Sequence, residues 1–178
     1  NNSGVNNFSP WQKSYEERFQ IYCSAKACKF FVDFGSGSCY LAIWAAQKGL
    51  QVLAYDLNFK SLSILAALKK HLKLTNLHLV CGDAQELGIK DGLADIIAHN
   101  AVLEHLPKEK EAIQEINRIV KKKGRLMVTV PLSYRYIFPL FLPLNFIHDK
   151  RIGHLRRYNP LSVKIKFSDW KINKLIYI

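Results

Sequence analysis

The sequence predicts an α/β protein, a doubly wound and mostly parallel sheet with helices on both faces. Three observations carry this. Short apolar runs alternate with stretches of helical periodicity from residue 29 to residue 130. The first run, Phe30 to Val32, leads into Asp33-Phe34-Gly35-Ser36-Gly37, which puts an acid and two closely spaced glycines where a strand gives way to a helix. A second run, Val52 to Tyr55, ends in Asp56, nineteen residues after Gly37. A glycine turn at the tip of one strand and a carboxylate at the tip of the next is how an open α/β sheet builds a nucleotide site. Glycine suits the turn because a Cβ penalises the φ values required, and because a side chain would hold the backbone off the ligand.

The elements follow in order. Residues 10–28 form a helix, with Pro10 in its first turn and Trp11, Tyr15, Phe19 and Tyr22 on one face. Lys29 to Phe34 is a short buried strand. Tyr40 to Gly49 is a helix with Gly49 as its stop signal. Gln51 to Tyr55 is the second strand, and Lys60 to Lys73 a helix with Leu62, Leu65, Leu68 and Leu72 in register. Leu77 to Cys81 and Ala94 to Ala98 are the third and fourth strands. Glu109 to Lys122 is a helix presenting Ile113, Ile116 and Val120. Its last turn holds Lys121 to Lys123 before Gly124, where cations complement the helix dipole. Arg125 to Val130 is the fifth strand, and Lys171 to Ile178 would be a sixth.

Pro131 to Asp149 breaks the pattern. It is rich in Phe, Leu and Tyr, and its prolines 131, 139 and 143 together with Arg135 exclude a membrane-spanning helix. It is an apolar lid or membrane-surface segment, with a packing loop as the plainer alternative.

With 178 residues, nearly half of them apolar and 22% charged, the chain is globular, and residues 1–178 are expected to be one domain. Residues 1–29 would be its N-terminal helical segment. The four cysteines, at 23, 28, 39 and 81, form no C-x-x-C pair, which argues against a zinc site or a disulfide framework and for free thiols in the cytoplasm. Charge is uneven. Residues 1–120 hold 13 basic and 12 acidic side chains, whereas residues 121–178 hold 13 and 2. Such a basic end attracts a phosphorylated metabolite, an anionic membrane or RNA, or is simply a solvated face.

Asp33 separates two kinds of ligand. Beside a pyrophosphate it would be repulsive, whereas a cationic or zwitterionic ligand tolerates it. At this point the segments VDFGSGSCYLA, VLAYDLN, CGDAQEL, DIIAHNAVLEHL and GRLMVTVP, in this order, resemble the class I S-adenosylmethionine (SAM)-dependent methyltransferases, with their Rossmann-like sheet. The resemblance is closest to the small-molecule and lipid group that includes the ubiquinone and menaquinone methyltransferases. It covers about residues 30–131, and more loosely 153–178.

The resemblance implies SAM as cofactor. Gly35, Ser36 and Gly37 would wrap its methionine end, and Asp33 would hold the loop and the ligand's ammonium. Asp56 would accept from the ribose diol, with a helix cap as its plainer role. Leu57 would flank the adenine. Asp83 and the Ala84 amide would meet the adenine edge, or serve only as a turn. Asn100 would contact the ligand from the fourth strand, and Arg18 would approach its carboxylate. Cys39 departs from the family's small third loop residue.

The acceptor side has two candidate bases, His105 and His154, since an imidazole titrates near neutrality. Arg156 and Arg157 would anchor an anionic group or cap the surface. Metal-dependent relatives carry Glu-x-x-Glu-His here. Glu104 and His105 match, but Ala101 replaces the first Glu, so no metal is expected. The Asn-Pro-Pro-Tyr and Pro-Cys signatures of nucleic-acid base methylation are missing. The expected activity is O- or C-methylation of a small-molecule or lipid-like acceptor, with possible peripheral contact to an anionic membrane. An RNA methyltransferase and a catalytically silent partner subunit are the alternatives. The family sheet has seven strands, so a chain ending at Ile178 reads as truncated or as open at its edge.

Overall fold

Five strands form one parallel sheet in the order β3-β2-β1-β4-β5: β1 (Phe30–Phe34), β2 (Gln51–Asp56), β3 (Leu77–Cys81), β4 (Ala94–Asn100) and β5 (Val120–Thr129). The structure is a computed structural model that describes residues 28–37, 40–133 and 142–173. The chain steps outward from β1 to β3, then returns to lay β4 against the other side of β1. That reversal opens a crevice at the carboxyl ends of β1 and β4, where sheets of this kind take ligands.

Helices α1 (Tyr40–Gln47), α2 (Phe59–His71), α3 (Glu109–Ile119), α4 (Leu142–Ile152) and α5 (Pro160–Lys166) complete the architecture, with a 3₁₀ turn at Leu103–His105. Side chains alternate across the sheet with the period of two that strands impose. Phe31, Ala54, Leu77, Ile96 and Ala98 pack on one face with Leu41, Ala42, Trp44 and Ala45 of α1 and Leu65 of α2. Val32, Phe34, Tyr55 and Ile97 pack on the other with Ile116 and Ile119 of α3. The sheet is therefore covered on both sides, as the apolar runs implied.

Two helix ends show why boundaries fall where they do. After α1, Gly49 takes a φ of +84°, its amide donates to Ala46 and the Leu50 amide to Ala45, so glycine closes the helix as expected. Before α2, Asn58 is the cap, its Oδ1 accepting from the Lys60 and Ser61 amides. Asp56 is thereby released from the capping role the sequence left open for it.

The lysine run is a correction. α3 ends at Ile119, and Lys121 to Lys123 belong to β5 rather than to a helix terminus. Opposite Asp95 the register jumps from Ala94↔Val120 to Ile96↔Arg125, so 121–124 form a bulge. Asp95 explains it. Its carboxylate accepts from the Lys29 and Phe30 amides at 3.0 and 2.9 Å and from Lys121 Nζ at 2.6 Å, pinning β1, β4 and β5 together.

Of Pro131 to Asp149, residues 142–149 are part of α4, and 134–141 lie outside the described residues. Lys171 to Asn173 are not strand, and 174–178, with the sixth strand assigned there, lie outside as well. So do the N-terminal helix, Arg18 and Cys39.

Candidate functional site

The glycine loop is built on β2 as much as on β1. The amides of Gly35 and Ser36 both donate to the Tyr55 carbonyl, at 2.8 and 3.3 Å. Gly35 and Gly37 hold φ values of +60° and +47°, a region that favours glycine. A Cβ on Gly35 would stand 2.1 Å from Val102 Cγ2, so the residue following β4 requires the glycine as well.

Asp56 closes the loop. Its Oδ2 accepts from the Gly37 amide and its Oδ1 from the Asn58 amide, each at 2.7 Å. A carboxylate has about four acceptor positions, so both oxygens keep capacity for a pair of hydroxyl donors. Asp33 lies beneath, 2% exposed, its carboxylate accepting from the Ala42 amide in the first turn of α1. Burial pushes its pKa up to about 7, the Ala42 bond opposes that, and the neighbouring Asp56 charge adds to it. A cation brought to Asp33 would restore its ionised form.

Asp83 is exposed and forms a turn with Gln85. Its Oδ1 accepts from the Gln85 amide at 2.8 Å and its Oδ2 from Gln85 Nε2 at 3.0 Å, and these bonds hold its carboxyl below the usual value. The Tyr55 hydroxyl reaches the Asp83 carbonyl at 3.4 Å, and a Cβ on Gly82 would overlap that hydroxyl. Ala84 packs beside Phe34 and Tyr55. Leu57 projects into solvent, 71% exposed. Asn100 ends β4, its Oδ1 accepting from the Thr129 hydroxyl of β5. Gly35, Ser36, Gly37, Tyr55 and Asp56 thus form one bonded group, with Asp33 beneath it bonded to Ala42, the Tyr55 hydroxyl reaching Asp83, and Ala84 packed against the same cluster.

His105 and His154 form a second group with Glu104. Their rings stand 4.8 Å apart, edge to face. His105 Nδ1 contacts the Gly153 carbonyl at 3.0 Å, and His154 Nδ1 contacts Asp149 Oδ1 at 3.1 Å. Arg157 grips the same Asp149 through two bonds of 2.7 and 2.8 Å. Arg156 donates to the Leu103 and Leu106 carbonyls, so it caps the 3₁₀ turn. Glu104 is 1% exposed and neither carboxylate oxygen has a hydrogen-bond partner, and burial raises its pKa. Burial also pushes the His154 pKa down, against the pull of Asp149.

Several contributors were not anticipated. Tyr55 looked like a core residue, yet its carbonyl and hydroxyl connect three site segments. Asp149 lies five residues before His154, a spacing that belongs to no motif. His99 is buried between β1 and β5 with both ring nitrogens unpartnered, and burial drops its pKa to about 4. The alternation of strand residues was the available signal, since His99 and Asn100 must face opposite ways.

Comparison with known proteins bears on the same residues. A family model described as a methyltransferase domain matches residues 32–128, which spans every segment of the glycine-loop group. The ubiquinone/menaquinone biosynthesis C-methyltransferase UbiE of Vibrio vulnificus is 30% identical over 145 residues, 78% of this chain and 54% of that protein. A demethylmenaquinone methyltransferase of Oceanobacillus iheyensis is 24% identical over 143 residues, 75% of this chain and 60% of that protein. The chain therefore spans little more than half the length of these curated relatives. Among solved structures, a putative methyltransferase of Bacillus halodurans superposes with a TM-score of 0.76 at 21% identity, covering 88% of this chain and 68% of that one. A Haemonchus contortus phosphoethanolamine N-methyltransferase 2 in complex with SAM gives 0.72 at 16% identity, covering 88% and 36%. These likenesses establish the Rossmann-like fold expected from the sequence.

Proposed function

The chain belongs to the methyltransferase-domain family, and on that footing we propose that it binds SAM across the carboxyl ends of β1, β2 and β3 and methylates a small-molecule or lipid-like acceptor. One observation carries the cofactor assignment. Asp33, Asp56 and Asp83 stand at the ends of three adjacent strands around a glycine loop. Three acids repel a pyrophosphate and suit a ligand that is cationic at one end and rich in hydroxyl and amino donors along its length.

SAM, when bound, supplies a methyl group on a sulfonium that is its own leaving group. The residues present fit it. Gly35 and Gly37 let the backbone approach the methionine end, with Ser36 between them. Asp33 meets the ammonium and Asp56 the ribose diol. Asp83, Ala84 and Leu57 flank the adenine, and Asn100 approaches from β4. What remains for the chain is to align the acceptor, for which effective molarity is the main resource. His105 stands five residues after Asn100, at the end of the 3₁₀ turn that follows β4, and His154 packs against it; His154, its pKa lowered by burial, is the proposed proton acceptor when the acceptor has one to lose.

The acceptor's character is proposed from the C-terminal elements. Phe146 and Ile147 of α4 and Leu161 and Ile165 of α5 are exposed, and the same helices carry Lys150, Arg151 and Lys164. Apolar and basic side chains together suit a protein that works in the cytoplasm and touches an anionic bilayer to reach a lipid-like acceptor. No helix among the described residues is long and apolar enough to cross a membrane. Similarity to UbiE, a C-methyltransferase of ubiquinone/menaquinone biosynthesis, makes a carbon acceptor the first class to screen.

Calorimetric titration of S-adenosylhomocysteine into the purified chain tests this directly. Binding in the micromolar range, weakened at least about 100-fold by Asp56→Ala, is the expected result. A folded, monodisperse wild-type chain that binds nothing would overturn the proposal.

A further inference from the structure

We propose that Glu104, His105 and His154 form a binding site for a divalent metal ion of intermediate softness, such as Zn²⁺, Mn²⁺ or Fe²⁺. The sequence argued against a metal because Ala101 offers no ligand. The fold changes the count by bringing His154, forty-nine residues on, beside the 3₁₀ turn. One donor atom from each of the three residues lies within 4.8 Å of the others.

Glu104 is the observation that demands an explanation. It is 1% exposed, and neither oxygen has a partner. A buried carboxylate without hydrogen bonds is destabilising unless a cation neutralises it or it takes up a proton. Among the described residues no Lys or Arg side chain bonds to Glu104: Arg156, whose charge only partly offsets the burial, donates to the Leu103 and Leu106 carbonyls, and Arg157 donates to Asp149. The nearest ionisable donor is His154 Nε2, 3.7 Å from Glu104 Oε1.

The two imidazoles are arranged as ligands. A carbonyl oxygen only accepts, so the contact from His105 Nδ1 to Gly153 fixes the proton on Nδ1 and leaves the lone pair on Nε2. The Asp149 carboxylate does the same for His154, and Arg157 orients that carboxylate in turn. Carboxylate–histidine and carbonyl–histidine pairs of this kind fix the tautomer and raise the basicity of metal-bound imidazoles. Two imidazoles and one carboxylate select zinc and its first-row neighbours over calcium or magnesium. Ligands 2.0–2.1 Å from a tetrahedral ion lie about 3.3 Å from one another. The 3.7 Å between Glu104 Oε1 and His154 Nε2 is already near that value, and the full triad, whose donor atoms lie within 4.8 Å of one another, closes by side-chain movement that the exposed position of His105 permits.

Three protein ligands leave open positions for water or an oxygen of the acceptor. With metal bound, His105 and His154 act as ligands and not as bases. Metal binding therefore replaces the base role proposed for His154 while leaving the cofactor assignment as it stands, and it is measured without SAM.

The test is titration of the tag-free, metal-stripped full chain with Co²⁺, followed by visible absorption and back-titration with Zn²⁺. One equivalent of Co²⁺ with ligand-field bands, displaced by Zn²⁺, is expected. Glu104→Gln and His105→Gln should each weaken binding by at least about 10-fold, and Asp149→Asn by about 10-fold through loss of the bond behind His154. His78→Gln, at an exposed position on β3, should leave binding unchanged. S-adenosylhomocysteine titration and circular dichroism of each variant report folding separately. Wild-type protein that shows no ligand-field bands at millimolar Co²⁺, or variants that bind as wild type does, would overturn the metal site while leaving the cofactor proposal untouched. Retained metal binding with no binding of S-adenosylhomocysteine would do the reverse.

Discussion

The two sides of the crevice differ in how their polar groups are satisfied. On the β1–β2–β3 side every acid has a backbone or amide partner. Asp33 accepts from Ala42, Asp56 from Gly37 and Asn58, and Asp83 from Gln85. On the side beyond β4, Glu104 and His99 are buried without partners. Backbone amides cannot move away, so the first side is a preformed cradle whose geometry is fixed before any ligand arrives. Unpartnered buried groups are destabilising, and they persist where something outside the chain completes them. The first side is ordered by its own backbone, and the second keeps two buried polar side chains without hydrogen-bond partners.

The sharpest way to break this comparison is Asp33→Asn. Asp33 has backbone support and still carries a cost. Its folded pKa, about 7, lies above its unfolded value, so the folded state binds the proton more tightly. Its contribution to stability is therefore fully present below the unfolded pKa and is lost as pH rises through about 7. Ionisation at pH 8 costs up to about 4 kcal/mol by linkage. The neutral amide should recover most of that at pH 8 and little at pH 4, as read by urea unfolding at the two pH values. The same variant should lose at least about 10-fold in affinity for S-adenosylhomocysteine, since its ammonium then lacks a charge partner. A variant that is both no more stable and no weaker in binding would show that Asp33 is simply a core residue.

Gly35→Ala probes the seam between the two sides. The added methyl would meet Val102 Cγ2 at 2.1 Å in a backbone of positive φ. Overpacking and left-handed strain together should cost about 3 kcal/mol in chemical denaturation. Adding Val102→Ala removes the overlap with Cγ2 but leaves a tight 3.2 Å approach to Cβ and the strain. The double variant should therefore be less destabilised than the sum of the singles by about 1 kcal/mol. Additive effects would mean that the loop and the turn leading to Glu104 move independently.

What the sequence disclosed follows the same division. Strands and helices were legible because their periodicity matches burial on one face or two, and Asp56 was legible because glycine spacing fixes it at a strand tip. The lysine run misled. Helix polarity favours cations at a C-terminus, but Asp95, twenty-six residues before Lys121 in the chain, claims it across the sheet instead. Leu68, in register with Leu62 and Leu65, is 38% exposed although Leu72 beyond it packs on the core, so it sits at the margin of the buried face. Asp149 and His154 pair locally across the turn that ends α4, where Gly153 takes a φ of +77° and the His154 amide donates to the Asp149 carbonyl; what local pattern does not encode is that this turn returns to Glu104 and His105. Residues that serve the backbone they sit on leave a mark in sequence, and residues joined only by tertiary return do not.

The smallest expected effect sharpens the point most. Leu57 is the residue following Asp56, 71% exposed, and its carbonyl contacts Cys81 Sγ at 3.6 Å. Leu57→Ala leaves that backbone contact in place and removes little buried area, so unfolding free energy should change by less than about 0.5 kcal/mol. A large aliphatic side chain held out in water beside an ordered carboxylate is worth little to the folded protein. It is worth more to a flat heterocycle lying against it, because binding then removes apolar surface from water at about 25 cal/mol per Å². Covering a few tens of square ångströms corresponds to about 1 kcal/mol, or roughly a fivefold loss of affinity for S-adenosylhomocysteine in the variant. Adenosine alone should lose affinity by the same factor, and methionine by none. Equal losses for all three would place Leu57 in loop rigidity rather than in adenine contact, and would move the adenine-binding role to Ala84.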